Sequence, residues 1–189
     1  MKSKRRLSGL LRTRGLSDGI QERLTAHFPP GKGGGAEVAY GYKGKGVLIH
    51  LLVDAEGMPV SAVSTPANGD ERKQAEQLVE TVEVKTGKPG RPPKKIKRIA
   101  GDKGYDSQKL REFLLSKGIA PQIPRKNNAW PRRGRPVLMS APRFQIERAF
   151  SWLQRKFRRL AVRWERLPQC FDSFLLLGII VIWRQRLMG

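Results

Sequence analysis

Three short β-prone runs followed by a helical pattern limit the fold of this chain more than any other feature of its sequence. Residues 37–42, 47–53 and 59–65 are rich in Val, Ile, Tyr and Leu, and glycine-containing turns separate them. Apolar residues then recur at helical spacing between Asp70 and Val82. We therefore expect three antiparallel strands joined by tight turns, with a helix packed on the sheet.

The second half of the chain alternates between the two kinds of pattern. A short apolar run, 98–101, leads into Asp102, and a helical pattern over 107–117 ends at Gly118, which suits the C′ position of a helix. Residues 119–123 read as a short strand, and helical patterns follow beyond Ser140 and over roughly 171–186. This order predicts an α/β or α+β layered domain.

The charge of the chain requires a polyanionic partner. There are 38 Lys and Arg against 16 Asp and Glu, a formal net charge of +22. Residues 1–90 contribute net +4, and residues 91–189 contribute net +18. We therefore expect the phosphate-binding surface to lie in the second half. A small RNA- or ribosome-associated protein would share this charge, but not the ordered acidic motifs described below.

The lone cysteine and the apolar runs indicate the class of protein. Cys170 cannot form an internal disulfide, and its apolar and helix-forming neighbours predict a buried thiol. The longest apolar run, 174–183, is roughly half of the ~20 residues that a membrane span requires. We expect a cytoplasmic, nucleoid-associated protein. His27 and His50 are assigned no role.

The segment from Asp102 to Ser107 joins a short strand to a helix, where chemistry-bearing residues are often placed. An aspartate at the C-terminal end of a strand is exposed and rigidly held, which favours a functional role for Asp102. Asp106 or Ser107 is placed to cap the helix that follows, and Ser107 is best explained in that way.

Arg143 and Glu147 stand four residues apart and share one face of the long helix expected beyond Ser140. Taken alone, such a pair is most often a surface ion pair. Two-metal phosphoryl transfer, however, needs carboxylates from separate elements to converge on one point. Glu147 is therefore a candidate partner of Asp102.

Together, residues 100–106 and the Arg143/Glu147 pair resemble the second and third motifs of DDE-class transposases of bacterial insertion sequences. Among these, the chain is most similar to the "insertion sequence five" family. Supporting matches are the glycine run 33–35 before a strand, residues 53–59 and residues 147–153. The likeness covers about residues 30 to 186.

This resemblance implies a ribonuclease H-like fold of the α/β class, a mixed sheet flanked by helices. It implies a divalent metal cofactor, Mg or Mn, held by two aspartates and a glutamate, with Asp102 as the second acid and Glu147 as the third. The implied activity is cleavage of DNA at transposon ends and transfer of the freed strand to target DNA. The implied partner is therefore DNA.

The chain departs from the family pattern at the first acid. Where the family has Asp-Gly-Ser-Phe before the glycine run, residues 25–28 begin with Thr25, and Asp18 and Asp54 are poor substitutes. Ser140 and Gln154 stand at the tyrosine and lysine positions of the helix signature. We expect a truncated or second-frame transposase product, and the alternative is a catalytically inactive DNA-binding remnant. An upstream-frame product and a homodimer stay open as partners.

The domain boundaries follow from composition. Residues 1–35 are expected to be an irregular basic lead-in that does not resemble the DNA-end-binding region of the family, and residues 36–189 the catalytic domain. Basic linkers at 87–97 and 124–136 contain Gly-Arg-Pro, which suits phosphate contact or insertion into a narrow minor groove. Trp130 in the second linker is a candidate for stacking on an unpaired base. The expected DNA-binding residues are Arg143, Lys103, Arg91, Lys94, Lys95, Arg132, Arg133, Arg135, Arg155, Lys156, Arg158 and Arg159.

Overall fold

A computed structural model describes residues 21–82, 96–125 and 144–188. The strands are β1 (Gln21–His27), β2 (Ala39–Gly41), β3 (Gly44–Val53), β4 (Pro59–Pro66), β5 (Arg98–Ala100) and β6 (Ala120–Gln122). The helices are α1 (Glu71–Val82), α2 (Gln108–Ser116), α3 (Phe144–Lys156), α4 (Arg158–Ala161) and α5 (Pro168–Met188). A single 3₁₀ turn, Lys103–Tyr105, lies between β5 and α2.

The strands form one mixed sheet in which β1 is central. β3 runs antiparallel to β1, β4 and β2 are antiparallel to β3, and β5 and β6 continue the sheet in parallel on the other side of β1. The α/β class and the mixed sheet flanked by helices are confirmed, and the ribonuclease H-like assignment stays a prediction. No helix in the described ranges is long and apolar enough to cross a membrane.

The irregular lead-in expected for residues 1–35 is wrong for residues 21–27, because these form β1 at the centre of the sheet. The sequence of β1 lacks the apolar alternation typical of a strand. Leu24 is buried on one side of the sheet, while Arg23, Thr25 and His27 occupy the other side. The folded sheet therefore begins before residue 36.

The sheet separates two apolar cores. One core lies between β3 and the helices α3 and α5, and it includes Ile49, Leu51, Phe150 and Leu175. The other lies between the sheet and the helices α1 and α2. The second core includes Leu24, Leu52, Leu78, Ile99 and Leu110. Because side chains alternate along a strand, odd-numbered residues of β1 face α3 and even-numbered residues face α1 and α2.

The local predictions around α2 are confirmed. Ser107 is the N-cap of this helix, and its hydroxyl oxygen accepts a hydrogen bond from the Leu110 N–H at 3.2 Å. Gly118 follows the helix at φ 73°, the left-handed conformation expected at a C′ position. Cys170 is exposed, so the expected burial of its thiol is wrong. It lies outside the buried stripe of α5, which begins at Phe171.

Candidate active site and nucleic-acid edge

Asp102 lies directly after β5, at the C-terminal edge of the two neighbouring parallel strands β1 and β5. Its side chain is exposed, and one carboxylate oxygen accepts a hydrogen bond from the Gly104 N–H at 2.7 Å. This bond caps the 3₁₀ turn and holds the carboxylate at the edge of the sheet. The other carboxylate oxygen is thus available for a ligand.

Thr25 lies beside Asp102 in the parallel register. Arg23 pairs with Ala100 across β1 and β5, and Thr25 and Asp102 each follow two residues later on their own strands. Both side chains belong to the face of the sheet that α3 covers, since Ile99 and Leu24 point to the opposite core. The position level with Asp102 on the central strand therefore carries a hydroxyl group and no carboxylate.

α3 lies along β1 in the same direction. Near its start, the Arg148 guanidinium donates a hydrogen bond to the Glu56 carbonyl in the β3–β4 turn, at the N-terminal end of β1. Near its end, Gln154 is hydrogen-bonded to the His27 imidazole, and the ring centroids of His27 and Phe150 are 5.1 Å apart. The helix therefore covers the strand segment that holds Thr25.

Glu147 is exposed in the first turn of α3. It precedes Gln154 by seven residues, or about two helical turns, so the two side chains leave the helix in nearly the same direction. Glu147 is thus carried on the β1-facing side of the helix, about 10 Å from Gln154 toward the start of β1. Its expected partner Arg143 lies outside the described residues.

The donor set at this edge does not fit a complete two-metal centre. In the described part of the chain, no group of three Asp, Glu, His or Cys side chains is placed to hold a metal ion. Asp102 and Glu147 supply carboxylates from two elements, but the hydroxyl of Thr25 is a single neutral oxygen. Hard divalent cations such as Mg are held chiefly by carboxylate and carbonyl oxygens and water.

Asp54 does not replace the missing acid. It lies in the β3–β4 turn, and its carboxylate accepts hydrogen bonds from the backbone N–H groups of Glu56 at 2.9 Å and Met58 at 2.8 Å. Burial raises the pKa of Asp54, although these two hydrogen bonds oppose the shift. Because β3 is antiparallel to β1, this turn is at the opposite edge of the sheet from Asp102. Asp18 lies outside the described residues.

The remaining residues of the loop after β5 are structural. Asp106 forms an ion pair with Arg111 at 2.8 Å, and Arg111 also donates to the Ile123 carbonyl at 2.7 Å. This pair ties the loop to α2 and to the end of β6. Lys103 is exposed beside Asp102.

Four of the described basic residues of the second half lie together where α3 ends. Arg155 and Lys156 close the last turn of α3, and Arg158 and Arg159 form the start of α4; all four are exposed. Because Gln154 contacts His27, this basic group flanks the edge at which β1 ends. Arg91, Lys94, Lys95, Trp130, Arg132, Arg133 and Arg135 lie outside the described residues, as do all but the ends of the linkers 87–97 and 124–136.

The glycine run has a packing role that sequence reasoning did not identify. The Lys32 and Gly33 N–H groups donate to the Arg163 carbonyl at 3.0 and 3.3 Å, and a β-carbon at Gly33 would lie 1.8 Å from the Trp164 carbonyl oxygen. Arg163 is fully buried, and it donates to the carbonyls of Ala36 and Glu165. The loop after β1 is thereby fastened to the segment between α4 and α5.

Comparison with known proteins identifies similar sequences. Residues 23–182 match the family model described as "Transposase DDE domain". A protein described as a transposase for insertion sequence element IS402 of Burkholderia cepacia is 32% identical over 133 residues, which cover 70% of this chain and 60% of that protein. A similar protein for element IS6501 of Brucella ovis is 29% identical over 138 residues, covering 71% and 95%.

A solved structure of a pre-cleavage Mos1 transpososome was also found, with a TM-score of 0.38 and 12% sequence identity. The match covers 94% of this chain and 62% of the Mos1 chain. The present chain thus spans about 60% of the length of the first curated relative.

Proposed function

The chain belongs to the transposase DDE domain family, and from this we propose that it acts on DNA, binding it at the C-terminal edge of β1 and β5. Members of the family generally use a divalent metal. Metal-dependent cleavage and transfer of strands at transposon ends would take place at Asp102 and Glu147, on the face covered by α3. The exposed basic residues Lys103, Arg155, Lys156, Arg158 and Arg159 would bind phosphates beside them.

We further propose that the chain as given binds DNA without cleaving it. The observation that carries this proposal is the position of Thr25, level with Asp102 on the central strand. A metal pair in this kind of reaction stabilises both the attacking and the leaving oxygen. Loss of one acidic ligand weakens that stabilisation, and a barrier raised by about 4 kcal/mol lowers the rate by roughly a thousandfold.

The exposed basic residues can bind the DNA backbone without a metal ion. Phosphate contacts position DNA on a protein without reading its sequence. Lys103 stands next to Asp102, and the group from Arg155 to Arg159 flanks the other side of the same edge. A DNA backbone bound between them would pass the Asp102 carboxylate.

Binding and nicking of DNA test the two parts of this proposal separately. The chain should bind a labelled 30-base-pair duplex of arbitrary sequence, with an affinity that falls steeply as salt increases. In Mg or Mn it should nick supercoiled plasmid no faster than Asp102→Ala does. Absence of duplex binding would overturn DNA as the partner.

An active transposase is the second candidate function. It is favoured by the exposed carboxylates of Asp102, which follows β5, and of Glu147, which is on the helix that packs on β1. Plasmid nicking by the unmodified chain that is lost in Asp102→Ala would establish it. Such a result would mean that a residue other than Thr25 supplies the first ligand.

A further inference from the structure

Three exposed aromatic rings lie among lysines beyond the C-terminal end of β1. Tyr40 and Tyr42 belong to the β2–β3 hairpin, and Trp164 to the segment between α4 and α5. Their exposed fractions are 75%, 105% and 57%. Single exposed aromatic side chains are common, but three such rings around one edge indicate a surface that binds planar chemical groups.

The chain builds this edge from segments that are distant in sequence. Pro30 pairs with Gly46 at the start of β3, Ala39 in β2 pairs with Gly46 from the other side, and Gly31 pairs with Arg163. Four backbone segments therefore lie side by side past the end of β1. Tyr40, Tyr42 and Trp164 are exposed on these segments, whereas Arg163 is buried beneath them.

Lysines accompany the rings. The Lys45 ammonium lies 5.9 Å from the centroid of the Tyr40 ring, and the Lys32 ammonium lies 5.8 Å from the centroid of the Trp164 ring. Both lysines are exposed. A cation beside a ring provides charge for a phosphate and leaves much of the aromatic face open to a base.

The hairpin is close to the candidate active site. Lys43 follows Tyr42 at the hairpin tip, and its positive charge is the second cause, after burial, of the lowered pKa of His27. His27 ends β1, the strand of Thr25, and contacts α3 through Gln154. The rings therefore stand at the same edge of the sheet as Asp102.

We propose that these residues, Lys32, Tyr40, Tyr42, Lys43, Lys45 and Trp164, form an aromatic–basic edge that binds unpaired bases of DNA. The inference rests on the proposed function, because it assumes that DNA is the partner. Aromatic side chains stack on single bases of any sequence, while lysines bind the backbone between them. In an intact duplex the base faces are already stacked on one another. The edge therefore prefers single-stranded DNA or the frayed end of a duplex.

Affinities for matched single-stranded and duplex probes test this preference. The probes are a labelled 20-nucleotide strand, the same strand in a blunt duplex, and that duplex with a six-nucleotide 3′ overhang. Tyr42→Ala and Trp164→Ala should each weaken binding of the single strand and the overhang by about tenfold. Binding of the blunt duplex should change less than twofold. The matched variants Tyr42→Phe and Trp164→Phe keep a ring and should keep the affinity.

Two further readouts separate stacking from charge and from misfolding. Replacing a tyrosine removes no positive charge, so the dependence of single-strand affinity on salt should keep its slope in Tyr42→Ala and become shallower in Lys45→Gln. Thermal unfolding midpoints should be equal in the Tyr42 variants, since this side chain is fully exposed.

The outcomes distinguish this inference from the proposed function. Loss of affinity for all three probes in equal measure would make the rings duplex contacts and overturn the preference for unpaired bases. Unchanged single-strand affinity in both alanine variants would overturn the edge as a stacking site, while duplex binding by the chain would leave the proposed function standing. Failure of the unmodified chain to bind any probe would overturn both the proposed function and this inference.

Discussion

Gln154 on α3 is hydrogen-bonded to the imidazole of His27 at the C-terminal end of β1. The position that carries lysine in the helix signature of related transposases is thus placed at the edge where Asp102 lies. The same contact aligns α3 with the central strand, so that Glu147, about two turns earlier, is directed toward the stretch of β1 around Thr25. Thr25 therefore stands level with Asp102 on the strand that α3 covers.

Introducing a carboxylate at Thr25 should restore metal binding. In Thr25→Asp, the new carboxylate lies level with Asp102 and faces α3, so Mn should bind and raise the thermal unfolding midpoint by several degrees. The measurement is a thermal unfolding series with and without 5 mM MnCl₂. Thr25→Asn is the matched control because it adds similar volume without charge. An equal shift in both variants, or in Thr25→Asp/Asp102→Asn, would contradict the shared site.

The basic group at the end of α3 should govern the salt dependence of duplex binding. Changing Arg155, Lys156 and Arg158 to alanine should make the slope of log affinity against log salt shallower by about 0.9 for each phosphate that the protein no longer neutralises. A matched triple variant, Arg72, Lys73 and Lys109 to alanine, removes the same charge from α1 and α2 on the other face of the sheet. That control should leave a steeper slope. Equal slopes for the two triple variants would show that only total charge matters.

Gly33 and Gly34 should respond very differently to alanine. A β-carbon at Gly33 would lie 1.8 Å from the Trp164 carbonyl oxygen, which forces the two backbone segments apart. Gly34 has φ 65° and no atom within 4 Å of its added β-carbon, so Gly34→Ala carries only the cost of a left-handed backbone, about 1 kcal/mol. Urea unfolding should show a loss of about 3 kcal/mol or more for Gly33→Ala. Similar losses in the two variants would refute the close approach of the segments.

His50 should make the fold sensitive to acid. It is buried in β3, its Nε2 lies 2.7 Å from the Thr65 hydroxyl, and burial lowers its pKa from 6.5 to about 4. Because the unfolded chain takes up the proton near pH 6.5 and the folded chain only near pH 4, stability is lost as the pH falls through this interval. The expected loss approaches about 3 kcal/mol at pH 4.

The measurement for His50 is urea unfolding at pH 7 and at pH 4.5. His50→Gln retains a polar side chain near Thr65 and has no proton to gain, so its stability should fall less over this interval. An identical fall in both proteins would assign the acid sensitivity to other groups.

Much of the fold could be predicted because each of these residues has a single structural role that its local sequence indicates. Ser107 caps α2, Gly118 ends it, and the alternating run of β3 faces two cores, so propensity and packing agree at these positions. The position of Asp102 was predictable for a similar reason, since it directly follows the short apolar run that forms β5.

β1 could not be predicted because one of its two faces holds the candidate site. Arg23, Thr25 and His27 take the positions that apolar residues would occupy in an ordinary central strand, which removes the alternation. The aromatic–basic edge was missed for another reason. Lys32, Tyr40 and Trp164 come together only through backbone pairing over more than a hundred residues, and no local pattern records that pairing. The "insertion sequence five" assignment stays a prediction.

The hydrogen bonds between Arg163 and the loop after β1 cannot form until late in synthesis of the chain. Arg163 donates to the Ala36 carbonyl from 127 positions farther along the chain. At a synthesis rate of about 5–20 residues per second, the glycine loop waits roughly 6 to 25 s for that partner to leave the ribosome. During this interval β1, β3 and β4 are already available for pairing, whereas Lys32 and Gly33 still lack their hydrogen bonds to the Arg163 carbonyl. A protease acting on nascent chains would therefore cut the glycine run more readily than it cuts the same run in completed chains.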